Sequence, residues 1–301
     1  MPFNFQTFKT RALTALLFVA VMLVGLLWNF WSFVVLFTVI HFGCWYEYLK
    51  LVEKINTTKL DVVLKWLLAI CGFALMVALG FRHLWVDYYT YILGYKVSFK
   101  ILFWVLLFGA LLIFLIQNNQ VPARAKRMCV AGFAYISASL TFFLFLRDDY
   151  FIDHQGVSLV VNNGLLTTCG IMASIWVNDT MAYLVGSFIG RTPLSKISPK
   201  KTWEGTIGGV VLCVIVIGFL YPLVVSAATG INIRSSQWFI IPALCAIFGT
   251  IGDLFESKLK RMAEVKDSGS FMPGHGGFLD RFDSLLFAVP AVWVYVYFLL
   301  R

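Results

Sequence analysis

"GTIGGVVLCVIVIGFLYPLVV", Gly205 to Val225, runs through twenty-one residues without a charged side chain. A hydrocarbon core of ~30 Å takes ~20 helical residues to cross, so this stretch alone is long enough to span a bilayer. Runs like it recur along the chain. Nine are expected to cross: Ala12 to Trp28, Phe30 to Trp45, Leu64 to Phe81, Val97 to Gln117, Met128 to Leu146, Gly164 to Gly186, Gly205 to Val225, Gln237 to Gly252 and Ser284 to Leu300. Only 13% of the 301 residues are charged while 60% are hydrophobic, which excludes two soluble domains of ordinary composition. The fold expected is an all-α polytopic membrane protein.

The N-terminal "FKTRALTALLFVAVMLVG" has the basic start of a signal peptide, but Leu26, Leu27 and Trp28 prolong the apolar run and no small-residue cleavage site follows. It is therefore read as the first helix. Eighteen of the 24 Lys and Arg residues fall at the N-terminus and in the loops after spans two, four, six and eight, and six fall on the opposite side. The positive-inside rule then places the N-terminus and those loops in the cytoplasm. The net charge of +9 belongs mainly to that face, where topology and anionic headgroups account for Lys50, Lys54, Lys59, Arg124, Lys126 and Arg127; no nucleic-acid partner is expected. Six isolated cysteines with no CxxC spacing read as small core hydrophobes.

The two halves differ in kind. Residues 1–163 read as a membrane scaffold of about five helices with loop-confined charges, and residues 164–301 as a catalytic membrane region of about four. In the first half, His41 and Glu47 sit beside Trp45, Tyr46 and Tyr48 and are expected at the interface. In the second, Asp179 stands inside a helix, and a carboxylate at membrane depth marks a functional site by default. "SPKKTWEG", Ser198 to Gly205, sets Lys200 and Lys201 just before a helix N-terminus, where backbone N–H groups favour anions. After Asp253, Phe255, Leu259, Met262 and Ala263 form an apolar stripe opposite Glu256, Lys260 and Glu264, which predicts a short amphipathic helix lying at the cytoplasmic interface.

The polar residues are densest in "SGSFMPGHGGFLDRFDS", Ser268 to Ser284. The glycines predict a loop with amides open to an anion. Asp280 and Asp283 are three apart and share a helix face. A hard divalent cation such as Mg²⁺ needs one or two carboxylates and completes its shell with water and phosphate. Asp253, Asp280 and Asp283 offer the carboxylates, and Lys258, Lys260, Arg261, Lys266 and Arg281 offer charge to phosphates. That inventory is what phosphoryl or nucleotidyl transfer requires.

Ser257, Leu259, Lys260, Arg261, Lys266, Asp267 and Gly269, followed by Pro273, His275, Gly276, Gly277, Phe278, Asp280, Arg281, Phe282 and Asp283, resemble the signature of phosphatidate cytidylyltransferases, the CDP-diacylglycerol synthases. "NDTMAYLVGSFIGRTPLSKISPKKTWEG" is similar to a second region of that family, and "TRALTAL" weakly to its start. Met272 departs by an apolar exchange, and Asp148 to Asn163 matches nothing in the family. The resemblance implies that CTP and phosphatidic acid give CDP-diacylglycerol and pyrophosphate with Mg²⁺, with or without a second cation. It also implies a homodimer with its site at the cytoplasmic end of the C-terminal helices. With no targeting extension seen, a bacterial inner membrane is the expected location. For that reaction Asp253, Asp280 and Asp283 are expected to hold the metal, with Lys260 and Arg261 beside them in catalysis. Lys200, Lys201, Lys266, Asp267, His275, Gly276, Gly277, Arg281 and Asp179 would contact substrates, and Gly186, Gly190, Gly208 and Gly209 would leave a lateral opening for the lipid. His275 is expected to donate a hydrogen bond or shape its loop.

Overall fold

A computed structural model describes residues 5–80, 89–92, 95–98, 109, 120–147, 163–230, 236–271 and 276–299. The helices are α1 (Phe5–Leu27), α2 (Phe30–Ile55), α3 (Val62–Gly80), α4 (Ala123–Arg147), α5 (Asn163–Ile189), α6 (Trp203–Thr229), α7 (Gln237–Met262) and α8 (Leu279–Leu299). Between α3 and α4, strands β1 (Tyr89–Ile92) and β2 (Tyr95–Ser98) pair antiparallel, an addition to the helical architecture expected from the sequence. Six of the described helices, α2, α3, α4, α6, α7 and α8, are long and apolar enough to cross a membrane, and α1 adds a shorter apolar stretch, Leu13–Leu27. The fourth expected span, Val97 to Gln117, lies almost wholly outside the described residues.

A bilayer has no water for free backbone groups, so long helices are the economical answer to such sequences. Pro222, Pro242 and Pro290 nonetheless sit inside α6, α7 and α8, as proline can in membrane helices where neighbouring groups re-satisfy the carbonyl it frees. The break between the first two runs comes from one capping exchange. Asn29 Oδ1 accepts from Ser32 N at 2.7 Å, while Ser32 Oγ accepts from Asn29 N at 3.1 Å. Within α4, Phe133–Ala138 is wound as a π-helix, which projects Tyr135 and Ser137 into the bundle. The rings of Phe33, Phe37 and Phe143 lock α2 to α4 with centroids 4.6–5.3 Å apart. Leu16, Leu17, Val211, Phe219 and Val224 remain exposed on the outside, the surface that lipid covers in such a protein.

Two expectations are corrected here. The amphipathic segment after Asp253 is not a separate interfacial helix; it continues α7 without a break to Met262, because "DLFESKLKRM" contains neither Gly nor Pro and its Glu256–Lys260 pair bridges one turn. Nor do Gly186 and Gly190, at and just past the end of α5, or Gly208 and Gly209 of α6 open a lateral gap. A Cβ added at Gly209 would stand 2.7 Å from Ala182 Cβ, one at Gly208 would stand 2.6 Å from Val185, and Gly186 and Gly190 lie against Thr202. Small residues at these positions bring the two helices together. The α7–α8 hairpin is built the same way, with Gly249 against Ser284 and Gly252 against Phe287.

Candidate active site

The ends of α7 and α8 carry the charged cluster. One carboxylate oxygen from each of Asp253, Glu256 and Asp283 lies within 4.8 Å of the others. Glu256 is fully buried and Asp283 nearly so. Beyond an ion pair with Lys260 at 2.5 Å, the Glu256 oxygens accept no hydrogen bond among the described residues. Three buried or half-buried carboxylates this close repel one another, so the arrangement calls for cations. Two lysines border it. Lys201 pairs with Asp253, and Lys260 lies 2.5 Å from Glu256 and 2.6 Å from Asp280.

Lys201 is delivered by the loop between α5 and α6, which is folded on itself. Pro193 and Thr202 form a β-bridge, Leu194 N donates to Lys201 O at 2.7 Å, and Glu204 accepts from the amides of Arg191 and Thr192. Thr202 caps α6 by accepting from Gly205 N. Arg261 of α7 reaches across to Ile197 O at 3.4 Å and ties the loop down. The adjacent lysines are thereby separated: Lys201 turns inward while Lys200 is exposed. Burial pushes the Lys201 ammonium below the ordinary lysine value, with Asp179 and Asp283 drawing it back up.

Asp280 is employed differently from Asp283. Its Oδ1 accepts from Lys260, and its Oδ2 accepts from Ser268 N, Ser268 Oγ and Gly277 N at 2.8–2.9 Å. These contacts bind the glycine loop to the start of α8. The other half of that binding comes from α2, 231 residues away in sequence. Glu47 Oε1 accepts from Phe278 N at 3.0 Å, and its Oε2 accepts from Leu279 N at 2.9 Å and from Ser268 Oγ at 2.7 Å. A helix N-terminus leaves such N–H groups unpaired and favours a negative charge, and Glu47 meets both needs. Gly269 and Gly277 press so closely on this carboxylate that any side chain there would collide with it. Gly276 has φ +86°, a conformation that glycine adopts without penalty.

A model of the cytidylyltransferase family matches residues 9–299. The chain belongs to the cytidylyltransferase family. Among relatives, the phosphatidate cytidylyltransferase of Thermotoga maritima is 40% identical over 195 residues, covering 63% of this chain and 67% of that protein. The phosphatidate cytidylyltransferase of Synechocystis sp. is 46% identical over 143 residues, covering 46% of this chain and 45% of its own length. That of Bacillus subtilis is 38% identical over 167 residues, or 55% of each chain. The matched stretches thus span from under half to two thirds of these relatives.

For this cytidylyltransferase-family chain the sequence-derived residues fall into three groups. Asp253, Asp283, Lys201 and Lys260 converge, with Asp179 close enough to act on Lys201. Asp280 and Gly277 form the structural clasp: of the glycine-loop amides read as open to an anion, that of Gly277 holds Asp280, and the next two amides, of Phe278 and Leu279, hold Glu47. Arg261, Lys266, Asp267 and Arg281 are exposed at the same end. His275 lies outside the described residues. Sequence reading missed Glu256, assigned to the polar face of a surface helix, and Glu47, assigned to the interface; both are buried, as is His41. The available signal for Glu256 was its three-residue spacing from Asp253, which puts the two on one face.

Proposed function

We propose that this protein is a phosphatidate cytidylyltransferase, joining CTP and phosphatidic acid into CDP-diacylglycerol with release of pyrophosphate. The observation that carries the reading is the Asp253–Glu256–Asp283 cluster bordered by Lys201 and Lys260, at one end of membrane-length helices in a chain of this family. The topology proposed with it has nine spans and places the N-terminus and the cluster on the cytoplasmic side of an inner membrane, by the lysine and arginine distribution. Residues 164–301 carry the chemistry, residues 1–163 are the scaffold from which Glu47 braces the signature loop, and two copies pair as the family resemblance implies.

An all-oxygen donor set with one wholly buried, hydrogen-bond-poor carboxylate suits a hard divalent cation. Asp253, Glu256 and Asp283 would hold Mg²⁺, which when bound supplies charge neutralisation at the α-phosphate and the departing pyrophosphate. The second pKa of a phosphate monoester is ~6, so the lipid phosphate is largely dianionic at neutral pH and needs no strong base. One of its oxygens forms a bond to the α-phosphorus of CTP, the bond from that phosphorus to the bridging oxygen breaks, and pyrophosphate leaves with the electron pair. Lys201 and Lys260 position the reacting phosphates, while Arg261, Lys266 and Arg281 draw the triphosphate from solution.

Purified protein in detergent micelles is expected to release pyrophosphate only when CTP, phosphatidate and Mg²⁺ are all present, and to stop on chelation. Release independent of phosphatidate, or none from folded protein, would refute the assignment. Lys201→Ala is expected to lower this turnover by about 10²–10³-fold, as loss of one charge-stabilising donor at a reacting centre does. Lys200→Ala, on the exposed side of the same loop, is expected to stay within about threefold. The reverse order would move the substrate to the outer face of the loop.

A further inference from the structure

A cavity of about 730 Å³ lies between α4, α7 and α8, outside the charged cluster. Its walls are apolar: Ala131 and Ala134 from α4, Leu244 and Phe248 from α7, Pro290 and Val294 from α8. Its inner end is made by Tyr135, Phe255 and Phe287, whose rings pack with centroids 5.0–5.6 Å apart. Phe255 is the neighbour of Glu256, and Phe287 lies one helical turn beyond Asp283 on the same face of α8, so the cavity begins directly beneath the carboxylates. It then follows α8 as far as Leu299. Those twelve residues rise ~18 Å, close to the depth of one leaflet of a ~30 Å core. Tyr135 is buried, and its hydroxyl finds no hydrogen-bond partner among the described residues. That hydroxyl is itself closed off, so the cavity presents apolar surface at this end.

We infer that this cavity holds one acyl chain of the phosphatidate; the inference rests on reading the chain as a phosphatidate enzyme. The headgroup then lies at the level of Asp283 and the chain runs down α8 toward Leu299. This is the lateral lipid access that the packed glycines of α5 and α6 do not provide. Ala134 and Ala291 are the small residues through which the cavity keeps its width.

Two measurements test it. Ala134→Phe and Ala291→Phe, which fill the cavity, are expected to raise KM at least about tenfold for phosphatidate with sixteen-carbon chains, and to leave KM for the six-carbon form within about twofold, because only the long chain loses its contacts. Equal effects on both chain lengths overturn the proposal. Independently of turnover, phosphatidate carrying a diazirine midway along one chain is expected to label peptides from α7 and α8 between Leu244 and Phe248 and between Leu286 and Val294. Unlabelled phosphatidate should compete and phosphatidylcholine should not. Labelling by a phosphatidylcholine probe to the same extent overturns the proposal, as do Val294→Cys crosslinks showing that a second copy fills the space. Competed labelling without cytidylyl transfer would sink the activity and leave the lipid site standing. Transfer with labelling elsewhere would sink the lipid site alone.

Discussion

Asp283→Asn is expected to lower cytidylyl transfer by at least about 10³-fold, and Glu256→Gln by a similar factor, because each removes a charge from the cluster that would hold the cation at the reacting phosphates. Asp280→Asn is expected to behave differently. Its carboxylate accepts from Lys260, Ser268 and Gly277 and serves to fasten the loop, so its loss loosens the site instead of emptying it. A fall of about 10–100-fold is expected, the usual scale for a group that orients others. Titration with Mg²⁺ separates the two roles. The Asp283 and Glu256 variants should need more metal, or fail to respond to it, while the Asp280 variant should keep the wild-type metal dependence and unfold at lower temperature. A metal dependence shifted most by Asp280→Asn would return that residue to the ligand set and remove Glu256 from it.

That contrast shows where the sequence was informative. Membrane helices were legible because length and apolarity alone define them, and α6 needed nothing more than its uncharged run. The boundary at Asn29 was legible as a single polar residue between two runs. The carboxylate cluster was legible in part, since Asp253 and Asp283 do converge. Their partner was not. Asp280 and Asp283 are three apart, but residues so spaced differ by about 60° around a helix, enough for one to face α7 and the other to face the loop. Which of them meets Glu256 depends on how α7 packs on α8, and that is set by Gly249 and Gly252. Glu256 itself was hidden by a sound pattern: the segment is amphipathic, but Glu256 and Lys260 of its polar face turn into the site while Glu264 stays exposed. The hairpin of β1 and β2 had a local signal in its Tyr, Thr, Ile and Val residues around Gly94, but it falls mostly between the third and fourth expected spans, a stretch read as a loop.

Glu47 is the residue whose importance no local pattern conveys, and Glu47→Ala is expected to damage activity and stability together. Three donors converge on its carboxylate, the amides of Phe278 and Leu279 and the hydroxyl of Ser268. Truncation leaves the two amides buried without an acceptor, at about 1–3 kcal/mol for each group that water cannot reach, while the Ser268 hydroxyl keeps Asp280 as an acceptor. Glu47→Gln keeps the shape but replaces one acceptor oxygen with an NH₂ that faces a donor, so it should fall between wild type and Ala. Since Glu47 holds the loop and the first turn of α8, the damage should appear at Asp280 and Asp283 even though the change is made in α2. Activity is expected to fall by about 10²-fold in Glu47→Ala, mainly in kcat, with a lower unfolding temperature. Glu47→Asp is expected to fall short as well, because the shorter side chain cannot reach the amides beside Gly269 and Gly277. If Glu47→Ala kept wild-type kcat and thermal stability, the first half of the chain would be scaffold in the plain sense, and the signature loop would hold its shape through Asp280 alone.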